Sequence, residues 1–345
     1  MSQGLSWALV VATYNREKIL PRCLRLAATQ TRKPSEIIVV DASPHWEQTR
    51  AKVMTEIAPQ HDDIRWTYVA AERRASTSQR NQGIRMANAD ILFLIDDDSL
   101  MYPDCAENIM RVYEADVDRR IVGANATNVP DPPDEPLRES HAEHRTHKQY
   151  GSFASAIRQL LKTEVIFVPY DSDYPKHPLP ETVASLPVDR WELAAGWGMT
   201  FRREIAIAEP FAEHLIRYAA TEDSDMSYRA SRRGPYVGVR NARLCHLGAS
   251  SGRVSTYAWT LANLLNPIVN NALHASDPGE AKRRCARVLR RRALINVSKD
   301  VYYLRPTLPH TRGALAALWY FNEIYRRPKP ELIAWYSTFQ SRLFG

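Results

Sequence analysis

The run Ile91-Leu92-Phe93-Leu94-Ile95-Asp96-Asp97-Asp98 decides how this chain is read. Five consecutive apolar residues fit a strand buried on both faces, and three carboxylates follow where that strand should end. Working outward, short apolar runs at Leu9–Ala12, Ile37–Val40 and Trp66–Val69 alternate with amphipathic stretches at Ile19–Ala28, Ala51–Ile57, Gln79–Met86 and Cys105–Tyr113. That rhythm predicts an α/β fold, a mostly parallel sheet flanked by helices. Such sheets bind ligands beyond the carboxyl ends of their strands. Those ends carry Thr13-Tyr14-Asn15-Arg16-Glu17, Asp41-Ala42-Ser43 and Asp96-Asp97-Asp98, which would bring hydroxyls, carboxylates and an arginine to one edge.

Each group has a plain structural alternative. Asp41 with Ser43 is also what a turn and helix cap would use. Three adjacent carboxylates are harder to explain that way, because their repulsion is relieved only by a cation or by hydrogen-bond donors. Mg²⁺ and Mn²⁺ take oxygen ligands, and Mg²⁺ is commonly shared between carboxylates and substrate phosphates, so a metal-bridged diphosphate is expected. Upstream, Glu72-Arg73-Arg74-Ala75-Ser76-Thr77-Ser78-Gln79-Arg80-Asn81-Gln82-Gly83 opens a helix with free backbone donors and arginines, an arrangement that attracts phosphate.

The 345 residues, 44% of them hydrophobic, suffice for one large α/β domain and a smaller appendage. A net charge of +7 suits a polyanion, an anionic membrane surface or a phosphorylated substrate, and does not choose among them. Cys23, Cys105, Cys245 and Cys285 are too scattered for a disulfide framework or a paired metal site, which points to a reducing cytoplasm. Neither a leader peptide nor an apolar run of bilayer length is apparent, so a soluble protein is expected, cytoplasmic or peripheral at the inner face of the membrane.

Val10-Val11-Ala12-Thr13-Tyr14-Asn15-Arg16, Ile38-Val39-Val40-Asp41-Ala42-Ser43, Arg80-Asn81-Gln82-Gly83 and Phe93-Leu94-Ile95-Asp96-Asp97-Asp98, in this order and spacing, resemble the family 2 glycosyltransferases of GT-A fold, over the chain to about residue 250. The resemblance implies an inverting enzyme that uses a nucleotide diphosphate sugar, UDP by preference, with Mn²⁺ or Mg²⁺. It puts Thr13, Tyr14, Arg16, Glu17 and Asp41 on the nucleoside and Arg80 on the diphosphate. Asp98 becomes the metal ligand, Asp96 a ribose or metal partner, and Asp97 a neighbour in the same donor pocket. His246, in Leu244-Cys245-His246-Leu247-Gly248, matches a position that often coordinates the metal; a buried hydrogen-bonding histidine is the alternative.

Further along, Thr221-Glu222-Asp223-Ser224-Asp225 is similar to the family's Glu-Asp block, which makes Asp223 the general base ahead of Glu222 and Asp225. Acids at a helix start complement its dipole in any case. Ala194-Ala195-Gly196-Trp197-Gly198 resembles the acceptor-side segment, with Gly196 and Trp197 placed to meet a sugar; a core tryptophan competes with that reading. The Gln-x-x-Arg-Trp block of processive members is replaced by Tyr228-Arg229-Ala230-Ser231-Arg232-Arg233, so transfer of a single sugar is expected, to a glycan, lipid-linked or other hydroxyl acceptor in polysaccharide or glycoconjugate synthesis.

The expected organisation is a catalytic domain over 1–254 and a basic helical region over 255–345. The first divides into a donor half at 1–125, a loop insertion at 126–190 and an acceptor and base half at 191–254. Within the insertion, His141, His144 and His147 read as solvated. The segment Arg283–Ile295 interleaves arginines with aliphatics, which suits either a helix packed through Val288 and Leu289 or peripheral contact with an anionic membrane. Two other functions compete. A sugar nucleotidyltransferase lacks its glycine-rich loop here, and a polyanion binder leaves the strand-end motifs unexplained, so no nucleic-acid partner is expected.

Overall fold

Strand β1 (Trp7–Thr13) shows why the apolar runs are continuous: Trp7, Leu9 and Val11 join one hydrophobic core, while Ala8 and Val10 join another on the opposite face. In β2 (Glu36–Asp41) the same division puts Ile37 and Val39 against Ile38 and Val40. A sheet covered on both sides requires that pattern, since side chains alternate along each strand. The computed structural model describes residues 4–135, 167–171, 173–216, 219–248 and 254–344. About half of the 126–190 insertion, His141, His144 and His147 included, lies outside the described residues.

The chain divides into two compact units, the first made of 1–137, 175–213 and 226–252, the second of 138–174, 214–225 and 253–345. In the first, β3 (Arg65–Ala70), β2, β1 and β4 (Ile91–Phe93) pair in parallel in that order. The sheet continues through β8 (Met199–Arg202), β6 (Gly123–Asn128), β9 (Tyr236–His246) and β5 (Ser99–Met101), with β7 (Val188–Trp191) also on β9. Beyond β4 it is mixed: β4 with β8, β8 with β6, β9 with β5 and β7 with β9 are antiparallel, whereas β6 and β9 are parallel. Helices α1 (Leu20–Ala28), α2 (Trp46–Glu56) and α4 (Cys105–Ala115) supply residues to the first core. Helix α3 (Ser76–Met86) packs on the other, where Gly83 lies so close to β1 that a Cβ would meet Val10 Cγ1 at 2.4 Å. The short helices α5 (Glu181–Ala184) and α6 (Arg203–Ala208) complete this unit.

Helix α7 (Glu222–Ser231) begins in the second unit, whose described residues also form four longer helices: α8 (Thr256–His274), α9 (Pro278–Tyr302), α10 (Pro309–Arg326) and α11 (Lys329–Phe344). Helix α8 packs against the other three and runs unbroken through Pro267. Buried asparagines tie it to its surroundings: Asn266 Nδ2 donates to Ala220 O at 2.9 Å while its Oδ1 accepts from Tyr336 OH at 2.5 Å, and Asn271 Nδ2 donates to Val168 O at 2.6 Å. Among the described residues, no helix is long and apolar enough to cross a membrane.

Candidate active site

Helix α3 is polar where a packed helix is ordinarily apolar: Thr77, Ser78, Gln79, Arg80, Asn81 and Gln82 are all buried. Buried polar groups need partners, and Gln79, Arg80 and Gln82 find theirs at the strand ends. Gln79 Nε2 donates to Thr13 O at 2.8 Å and to Val40 O at 2.9 Å, joining the ends of β1 and β2. Gln82 accepts from Glu72 N and donates to Ala70 O, fixing the exit of β3. Asn81 exchanges hydrogen bonds with the Phe211 backbone. Arg80, 4% exposed, donates to Asp96 Oδ1 at 2.6 Å beyond β4. One helix thus gathers the segments on which the candidate residues stand.

Around it, Thr13 Oγ1 donates to Asp97 Oδ2 at 2.6 Å, and Arg16 stands 4.0 Å from Asp97 and 3.9 Å from Asp98. Burial pushes the Asp97 carboxyl up to about 7, against the opposing hydrogen bond from Thr13 and the Arg16 charge, with Asp98 and Asp96 pushing the same way as burial. Asp41 is buried, accepting from Ser43 N at 2.7 Å and Tyr68 OH at 2.5 Å, so both of its oxygens are engaged. Tyr14 carries the Arg74 guanidinium 3.7 Å above its ring. Glu17 is exposed on an open cleft of about 750 Å³ lined also by Lys18, Ser43, His45 and Lys52.

Strand β9 brings in the histidine. His246 is in register with Ser99, and its Nδ1 lies 3.3 Å from Asp98 Oδ1. Burial opposes its protonation, but Asp98, reinforced by Asp96 and Asp97, outweighs this and lifts its pKa above the ordinary value. Asp96, Asp98 and His246 each offer a ligand atom, all within 4.8 Å of one another. Two carboxylates and an imidazole are a donor set that fits a divalent cation, and the cation would relieve the repulsion among them.

The segment Ala194–Gly198 is held from below: Ala195 N donates to Asn125 Oδ1 and Ala194 N to Ser227 Oγ, both at 2.9 Å. Trp197 packs half-buried against the first core, the competing reading in part, and Gly196 beside it is half-exposed. Glu222 and Asp223 stand half-exposed in the first turn of α7, in the second unit; Asp223 Oδ1 accepts from Ser224 N at 2.7 Å. Asp225, fully buried, accepts from Tyr170 OH and is committed to that contact.

Sequence reasoning missed Gln79, Gln82, Asn125 and Tyr68, and the Arg202–Asp116 ion pair, 2.9 Å and almost wholly buried. No sequence signal marked Gln79 and Gln82, since polar residues in a predicted helix read as a solvated face and their burial is seen only in the fold.

Residues 8–172 match the family model described as Glycosyl transferase family 2. EpsH of Bacillus subtilis, assigned as a glycosyltransferase, is 32% identical over 109 residues, 30% of this chain and 29% of its own length. The glucosyl-dolichyl phosphate glucuronosyltransferase of Haloferax volcanii is 29% identical over 127 residues, 36% of this chain and 38% of its own. The chain thus spans about a third of the length of these relatives. Among solved structures, S. aureus TarS 1–349 superposes with a TM-score of 0.52 at 11% identity, covering 99% of this chain and 89% of that one. GalNAc-T7 with UDP, GalNAc and Mn²⁺ gives 0.54 at 14% identity, covering 82% and 51%. At such identities the likeness shows a shared fold.

Proposed function

Because residues 8–172 match the model of glycosyl transferase family 2 and the sheet has the GT-A fold, we propose that this protein transfers a single sugar from a nucleotide diphosphate sugar to an acceptor hydroxyl, with inversion. The observation that carries the reading is the convergence of Asp96, Asp98 and His246 at the strand ends, beside Arg80 and Arg16. A cation held there supplies positive charge to the departing diphosphate. The nitrogen ligand favours Mn²⁺ over Mg²⁺, which keeps to oxygen. UDP is the preferred nucleotide, as in the GalNAc-T7 complex.

The protein's own groups do the rest. Thr13, Tyr14, Arg16, Glu17, Asp41 and Asp97 form or support the nucleoside side, and Arg80 orients Asp96 toward the diphosphate. Asp223 takes the acceptor hydroxyl's proton as that oxygen attacks the anomeric carbon, while the bond to the diphosphate breaks on the opposite face. Glu222 assists from the adjacent position, and Gly196 and Trp197 face the acceptor, a glycan or lipid-linked alcohol of polysaccharide or glycoconjugate synthesis.

The test is a panel of nucleotide sugars with Mn²⁺, scored for released nucleoside diphosphate and for product configuration. Inverted product, lost by at least about 100-fold in Asp223→Asn while nucleotide binding persists, supports the assignment. Released pyrophosphate would instead identify nucleotidyl transfer, and retained configuration would rule out the proposed base.

A further inference from the structure

Helix α9 exposes one continuous stripe, Arg283, Arg287, Arg290, Leu294, Val297 and Val301, spaced alternately four and three residues apart. The opposite side, with Cys285, Leu289, Ala293 and Asn296, is buried. The stripe therefore changes character along its length: basic in its first half, apolar in its second. A packed helix with a solvated outer face has no reason to place three branched aliphatics in water.

The connection to α10 extends the apolar end. Leu304 is 86% exposed, and Leu304 and Leu308 both adopt left-handed backbone conformations, φ 47° and 44°, that a leucine takes only at a cost. Beyond it, α10 exposes Leu315 and Trp319, the latter at 80%, between Arg312 and Arg326 on the same helix face. Helix α9 itself carries eight Lys or Arg against Glu280 and Asp300.

We infer that the exposed side of the α9–α10 hairpin is a docking surface for an anionic lipid membrane, inserting Leu304 and Trp319 at the headgroup boundary while the arginines meet lipid phosphates. Aliphatics and a tryptophan beside a field of arginines are complementary to such an interface on both counts. A second copy of this chain fits less well, since a two-fold contact would set the same arginines against each other. The inference is independent of the donor chemistry proposed above.

The experiment is co-sedimentation of the full chain with vesicles of phosphatidylcholine alone and of phosphatidylcholine mixed with phosphatidylglycerol. Binding is expected to the anionic vesicles, to fall with salt, and to weaken at least about tenfold in Leu304→Glu/Trp319→Glu and, separately, in Arg287→Gln/Arg290→Gln. Both variants alter exposed side chains, and unchanged thermal unfolding confirms that they fold. Should the first pair unfold, quenching of tryptophan fluorescence by spin-labelled lipid, reduced in Trp319→Phe, reports the same insertion. Failure to bind anionic vesicles overturns the inference. So does binding that both variants leave intact, or lipid-free dimerisation that Leu304→Glu/Trp319→Glu abolishes.

Discussion

Arg80 contributes through its placement: a buried guanidinium 2.6 Å from Asp96 holds a carboxylate that repulsion from its neighbours would otherwise turn away. Arg80→Gln is therefore expected to weaken Mn²⁺-dependent nucleotide binding by about 10–100-fold, the usual cost of losing a group that orients a metal ligand, as calorimetric titration will read. Thr13 acts on Asp97 in a similar manner. Thr13→Val leaves a buried carboxylate without its 2.6 Å donor and should cost about 1–3 kcal/mol, measured by denaturant unfolding. At this scale the sequence was informative about identity and poor about contact. Asp96 and Asp98 stood out as candidates because they follow an apolar run, and His246 because of its family position. That Asp97 would turn inward to Thr13 while its two neighbours stand with His246 depends on side-chain direction at the end of β4, which no linear pattern carries.

Helix α3 shows what was legible in the elements and what was not. Its existence followed from the spacing of Gln79–Met86, and its start proved to be Ser76. The internal hydrogen bonding that makes it a clamp on four strand ends was not visible, because glutamine and asparagine in a predicted helix ordinarily mean a solvated face. Gly83 lets this clamp close. Gly83→Ala should overpack the α3–β1 contact and cost about 1–3 kcal/mol, and adding Val10→Ala should return part of that, a coupling that thermal unfolding of the single and double variants will measure. That β1 to β4 lie in a parallel sheet was legible in the buried apolar runs; their order, β3-β2-β1-β4, was not. The antiparallel strands beyond it did not, because β7 and β8 are four residues each, too short for a periodic signal. Their anchor is Arg202, whose guanidinium is buried against Asp116 and the Ile121 carbonyl. Removing one partner, as in Arg202→Met, strands a buried charge and should destabilise by about 3–5 kcal/mol, a large drop in melting temperature.

For the whole molecule, net charge and strand-end chemistry pointed to different partners, and the structure separates the features behind them. The strand-end carboxylates, Arg16 and Arg80 belong to the first unit, and the arginine-rich α9 with its exposed apolar end belongs to the second. An overall charge of +7 mixes these contributions and could not apportion them. The central claim is that Asp96, Asp98 and His246 hold a cation that carries the diphosphate of the donor. Calorimetric titration of UDP, dTDP and GDP, with Mn²⁺ and with chelator, on the wild-type protein, Asp98→Ala and His246→Ala tests it most directly. The account predicts that one nucleotide binds only with Mn²⁺, that Asp98→Ala abolishes this binding, and that His246→Ala weakens it by at least about tenfold. Equal binding in chelator, or undiminished Mn²⁺-dependent binding by Asp98→Ala, would contradict it.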